Sequence, residues 1–203
     1  MEKKLYYGFL DESGFLESGA GLGRFFIISV IVVAQPQELK HIFSNARNKA
    51  CGKFQTHKVF KANKEDKGFV RLVLQELAKK DVEIFISIRD KKLAKKEIDK
   101  NIFYAHLVSQ ATNLVLSVHP RLELVLHKRY TLPRIRNQID TIINQKVAKG
   151  TFLSLSHQTE IERKELEIAD AVAWAVFQKY NNKKEEFYAI IKNKIIKENR
   201  TTA

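Results

Sequence analysis

Two stretches rich in β-forming residues, Leu5–Leu10 and Phe25–Val33, stand near the start of the chain with Gly14, Gly19, Gly21 and Gly23 between them. That spacing predicts two strands joined by a glycine-rich connection and paired antiparallel. Pro36 then opens a helix to about Ala50, and a short strand covers Thr56–Lys61. Beyond this point helices and strands alternate. Asn63 is placed to cap a helix to about Lys80, with Asp66 in the reciprocal capping position. Val82–Arg89 is apolar nearly throughout, as a strand buried on both faces should be. Asp99 caps a helix to about Val118, closed by Pro120, and Leu122–Leu126 reads as another buried strand. Pro133 starts a helix to about Lys149 with Gly150 at its end, and Phe152–Leu155 is a last short strand. Glu162–Tyr180 and Glu185–Lys197 close the chain as helices, so that residues 183–203 form a carboxy-terminal helix and a frayed tail. A strand pair followed by alternation implies an α/β fold, a mixed sheet with helices on its faces. With 203 residues and 44% hydrophobic content, the chain can build one substantial core, and residues 1–203 read as a single domain.

Composition narrows the chemistry. The one cysteine, Cys51, excludes an internal disulfide framework and any multi-cysteine zinc site. The longest apolar run, Phe25–Ala34, is about half of a membrane span. Met1-Glu2-Lys3-Lys4 leads straight into a strand and does not read as a signal peptide, so a bacterial, cytoplasmic protein is expected. Lys and Arg outnumber Asp and Glu by 36 to 23, a formal net charge of +13. A field of that sign attracts polyanions such as nucleic acid; a lysine-rich solvated surface is the plainer alternative. The excess gathers in Lys91–Lys100, Lys128–Arg136 and Lys179–Arg200. Gly19-Ala20-Gly21-Leu22-Gly23 precedes a strand rather than a helix, which rules it out as a phosphate loop.

In α/β sheets, sites form at the carboxyl ends of strands. Asp11, Glu12, Asp90, His127 and His157 fall there. Asp11 and Glu12 follow a fully apolar strand, where an ionised carboxylate is costly unless a cation accepts it; an Asx-type turn before Gly14 is the alternative. Because neighbouring strand residues point to opposite faces, Asp11 and Glu12 cannot serve the same side of a regular strand. A second carboxylate, Asp170, interrupts the almost wholly apolar segment Leu166–Val176, with Glu167 three residues back on its face. Ala169, Ala171, Ala173 and Ala175 allow a close approach to the sheet or to a second copy in a homodimer. A salt bridge to an arginine and a metal ion shared with Asp11 are the two ways to satisfy Asp170. Two acids joined by Mg²⁺ or Mn²⁺ suit phosphodiester hydrolysis.

The run Tyr7-Gly8-Phe9-Leu10-Asp11-Glu12-Ser13-Gly14 resembles the opening of the bacterial and phage family called domain of unknown function 3800. The run from Leu166 to Ala175 resembles that family's closing "LQxAD" helix, with Glu167 where the family often has Gln. Val82–Lys92 and Leu122–Tyr130 look like its central strands. The resemblance implies a ribonuclease H-like fold and a metal-dependent nuclease activity, with Asp11 the acid of the first strand and Asp170 that of the last helix. Two departures stand out: His127 replaces a common Asp, and Thr56-His57-Lys58-Val59-Phe60 lacks a common Glu, Lys58 standing in that stretch. His127 is suited to act as a nitrogen ligand, which favours Mn²⁺ over Mg²⁺, or as a general base; a decayed site is the other possibility.

The leading expectation is a metal-dependent nuclease or related phosphodiester-processing enzyme. Its metal ligands would come from Asp11, Asp170, Glu167 and His127, its catalytic groups from Asp11, Asp170, Glu12 and His127, and its phosphate contacts from Lys91, Lys128 and Arg129. Two alternatives remain: a catalytically silent nucleic-acid-binding protein of the same fold, and a protein-interaction component of a defence or toxin system. Of the other histidines, His106 and His119 read as structural or exposed, His57 has a weak claim, and His157 is placed to line the same cleft.

Overall fold

The two amino-terminal stretches pair as the glycine-rich connection requires. In the computed structural model, which describes residues 4–17, 21–54, 57–93 and 99–201, β1 (Tyr6–Ser13) runs antiparallel to β2 (Phe25–Val33), with Tyr7 opposite Val33 and Ser13 opposite Ile27. Gly14 has φ +104, and an added Cβ would lie 3.0 Å from the Phe25 carbonyl and 3.1 Å from the Phe177 ring. Only glycine allows the chain to leave β1 there.

The remaining strands are β3 (Glu83–Asp90), β4 (Arg121–His127), β5 (Phe152–Gln158) and β6 (Ile195–Thr201). They complete a six-stranded sheet in the order β5-β4-β1-β2-β3-β6. β2 alone runs against the others. The carboxyl ends of the other five therefore share one edge.

Helices cover both faces. One carries α1 (Ile42–Ala50), α2 (Lys67–Ala78), α5 (Glu165–Asn182) and α6 (Glu186–Ile191), packed on Phe9, Ile27, Ile31, Ile86 and Val125. The other carries α3 (Lys100–Leu116) and α4 (Pro133–Gln145), packed on Leu10, Ile28, Val30, Leu124 and Leu126. The strand residues divide between the two cores by strict alternation. The alanine-rich stretch of α5 is buried within this chain, and Ser29 Oγ donates to the Ala169 carbonyl at 3.2 Å.

Several element boundaries differ from the sequence reading. Pro36 opens only a short 3₁₀ turn, Pro36–Leu39. His41, at φ 67, then turns the chain so that Leu39 and Ile42, the first residue of α1, are both buried. Residues 57–61 form no strand; buried Glu65 instead accepts from the His57 N–H and faces His57 Nδ1, both at 3.0 Å, closing the segment into a loop. Asp66, not Asn63, caps α2, accepting from the Gly68 N–H at 2.7 Å. Asp99 caps α3 as expected, accepting from Asn101 and Ile102. α4 stops at Gln145, and β5 continues three residues past Leu155. The largest correction is at the carboxyl terminus. In place of a helix to Lys197 and a frayed tail, the short α6 is followed by β6, which pairs in parallel with β3. Among the described residues, no helix is long and apolar enough to cross a membrane.

Candidate functional site

β1 and β4 are parallel neighbours with Leu10 beside Leu126, so the next residues, Asp11 and His127, lie side by side at the carboxyl edge. Both belong to the α5 face, in phase with Phe9 and Val125. His127 Nδ1 is 3.2 Å from Asp11 Oδ1, and His127 Nε2 is 3.0 Å from an oxygen of Glu160, in the turn between β5 and α5. The imidazole thus spans two carboxylates. Burial alone would lower its pKa, but the hydrogen bonds to Asp11 and Glu160 outweigh burial and hold it at about 10, so the ring is an imidazolium. The hydrogen bond from His127, assisted by an ion pair with Lys61, holds Glu160 well below the usual carboxylate range against its burial.

Asp170 closes the cluster from α5. Its Oδ2 accepts the Ala62 N–H at 2.7 Å. Burial, followed by the charge of Asp11, raises its pKa to about 6, despite the Ala62 bond and nearby Lys61. Lys61 feels Glu160, Asp170 and Asp11 together, and its pKa rises although burial opposes the charged form. Three acids from three separate elements therefore surround two basic side chains. Asp11 is 2% exposed, its Oδ1 accepts the Glu12 N–H at 2.8 Å, and its Oδ2 is buried with no hydrogen-bond partner. A buried carboxylate oxygen without a donor is a costly feature.

Glu12 turns to the opposite face, as the alternation requires. It pairs with Arg129 at 2.8 Å and accepts from the Tyr104 hydroxyl at 3.3 Å. Burial and then Asp11 raise its pKa, with Arg129 opposing. At the tip of the strand the two faces nevertheless converge: one ligand atom from each of Asp11, Glu12 and His127 lies within 4.8 Å of the others.

Other candidates lie elsewhere. Glu167 is buried beside Lys164, at 3.1 Å, and lines a separate cavity of about 360 Å³ with Lys58 and Arg47 rather than the Asp11 cluster. Lys91 is turned inward, its ammonium donating to the carbonyls of Glu17 and Leu22 at 2.7 and 3.0 Å, where it ties down the β1–β2 connection instead of meeting a phosphate. Asp90 is held by Arg24 and lies across β2 from Asp11. His157 pairs with Asp140 of α4 at 2.8 Å, because its register partner Leu126 belongs to the α3–α4 face. His119 contacts Glu83 and stacks on Tyr6. Arg129 borders the cluster through Glu12, and the half-buried Lys128 donates its backbone N–H to Gln158.

Sequence reasoning missed Glu160 and Lys61. The rule that found Asp11 and His127 would have found Glu160 had β5 been carried to Gln158. Lys61 gave no signal, because the loop that presents it is closed by the distant pairing of Glu65 with His57.

A six-stranded mixed sheet with β2 alone reversed and helices on both faces is a ribonuclease H-like fold. The solved structures it resembles agree. Ribonuclease H2 from Pyrococcus horikoshii OT3 matches with a TM-score of 0.58 and 13% identity, over 91% of this chain and 77% of that one. Bst-RNase HIII in complex with Mn²⁺ matches with a TM-score of 0.54 and 13% identity, over 88% of this chain and 53% of that one, so the chain spans about half of that protein. No family model and no curated protein matches the sequence.

Proposed function

We propose that the protein is a divalent-metal-dependent phosphodiesterase acting on nucleic acid, with the metal held by Asp11 and Glu12, by His127 once its proton is lost, and by Asp170 beside Asp11. The observation that carries this reading is the buried, donorless Oδ2 of Asp11 beside Glu12 and Asp170. Carboxylate oxygens with a single imidazole nitrogen suit Mg²⁺ or, better, Mn²⁺, the metal named with one of the structural neighbours. The net charge of +13 favours a polyanionic substrate. Membership of the domain of unknown function 3800 family belongs to the same reading, since its two end motifs supply Asp11 and Asp170.

When bound, such an ion polarises the phosphate and lowers the pKa of water. The chain's own residues orient the reaction. The Ala62 N–H fixes one oxygen of Asp170. Arg129, half-buried and paired with Glu12 beside the cluster, is a cation that would suit a phosphate there. Glu12 sits within reach of the same centre.

Titration with Mn²⁺ and Mg²⁺, followed by cleavage of labelled DNA and RNA, tests the proposal. Saturable binding and cleavage, both lost in Asp11→Asn and Asp170→Asn with the fold intact, are expected. Cleavage that persists in Asp11→Asn would overturn it.

A second reading, the same fold binding nucleic acid without cleaving it, is favoured by the ion pairs of Lys61 and His127, which neutralise the acids with no metal. It expects binding that weakens steeply with salt and no cleavage with either metal.

A further inference from the structure

The carboxylate cluster opens on a groove of about 610 Å³ whose two walls differ in chemistry. One wall is aromatic. Trp174 and Phe177 follow Asp170 on α5 at helical spacing, and Phe15 stands in the turn after β1. Phe15 is 54% exposed, an unusual position for a phenylalanine two residues from Ser13, where β1 ends. The other wall is cationic and carries Lys61 and Lys64 on the loop leading into α2 and Lys67 at its first residue. Lys67 sits over the Trp174 ring at 4.4 Å and donates to the Ala62 carbonyl, so the walls meet at the floor. Lys61 is paired with Glu160, but no carboxylate pairs with Lys64 among the described residues.

Resting on the nucleic-acid reading above, we propose that this groove selects single-stranded nucleic acid, with a base stacked on Phe15 and the backbone following Lys61, Lys64 and Lys67 toward Asp170. A positive track beside an aromatic platform is what an unpaired strand requires, because every unpaired base offers a π-face and every nucleotide a phosphate. A duplex keeps its base faces stacked inside the helix and gives Phe15 nothing to bind. It would also present two phosphate rows to a groove that carries one row of lysines.

The probe is a short labelled oligonucleotide, as DNA and as RNA, compared with its own duplex by fluorescence anisotropy. Chelator is present throughout, so cleavage plays no part. The wild type is expected to bind the single strand at least about tenfold more tightly than the duplex. Phe15→Ala should lose about five- to a hundredfold of single-strand affinity with little change for duplex, and Phe15→Trp should retain it. Lys64→Ala should flatten the dependence of log affinity on log salt by about 0.7. Equal or tighter binding of duplex, or an unchanged affinity in Phe15→Ala, overturns the inference and leaves the nuclease reading standing. Failure to bind either form at low salt removes both.

Discussion

Asp170 and Ala62 are joined by a hydrogen bond of 2.7 Å between a carboxylate on a core helix and a backbone N–H in the loop that carries Lys61. Through it the loop is fixed to α5, and the position of Lys61 is set by the same acid whose charge it feels. Ala62 is fully buried, so its N–H has no water to turn to.

That bond separates two substitutions at one position. Asp170→Asn keeps an acceptor for Ala62, whereas Asp170→Ala leaves the buried N–H unpaired and should cost about 1–3 kcal/mol. Urea denaturation is expected to rank wild type and Asn together, with Ala below them. An Ala variant as stable as Asn would show that the bond does not hold the loop.

Lys61 occupies charge space that a metal ion would need. Lys61→Gln should therefore tighten Mn²⁺ binding by about an order of magnitude, a modest share of the Coulomb energy between charges this close. Calorimetric titration checks the sign. Weaker binding in the variant would mean that Lys61 supports the ion rather than competing with it.

Away from the site, Glu76 of α2 is buried between Lys49 at 2.5 Å and Lys79 at 2.6 Å. Hydrogen bonds from Lys49 and Lys79 lower its pKa from 4.5 to about 2. A depressed folded-state pKa stabilises above the unfolded value and loses that contribution as pH falls through the folded one. Glu76→Gln should be less stable than wild type at neutral pH, and the gap should narrow as pH drops from 4.5 to about 2. Thermal melts across that window measure it; a gap independent of pH contradicts the assignment.

Asn181, near the end of α5, accepts from the Phe25 N–H at 2.8 Å and donates to the Phe25 carbonyl at 3.0 Å. It completes the start of β2 with side-chain atoms. Asn181→Ala should cost about 1–3 kcal/mol and raise hydrogen exchange at Phe25 more than at Ile31. Uniform protection along β2 would argue against that role.

The parts legible in the sequence were those with a local cause. β1 and β2 follow from β-rich runs around glycines, the start of α3 from the oxygen of Asp99, and Asp11 and Asp170 from carboxylates set in apolar surroundings. Their meeting was one of two ways to satisfy a buried Asp170, and the family resemblance favoured it over an arginine partner, since no local pattern brings β1 to α5. The misread parts depend on distant partners. β6 is Ile195-Ile196-Lys197-Glu198-Asn199-Arg200-Thr201, too polar to read as a strand until β3 lies beside it. β5 is a half-exposed edge strand rich in serine, and cutting it short hid Glu160.

Those two edge strands bear on how the molecule meets its neighbours. An open sheet edge is a template on which another chain can add a strand. β6 presents Lys197, Glu198, Asn199 and Arg200 along that edge, and its side chains are already engaged: Tyr188 donates to Glu198 at 2.8 Å and Lys197 to Ser117 at 2.8 Å. A foreign strand added there would set its own side chains against this row of charged and polar groups. The polarity that concealed β6 in the sequence thus guards this edge of the sheet against further growth.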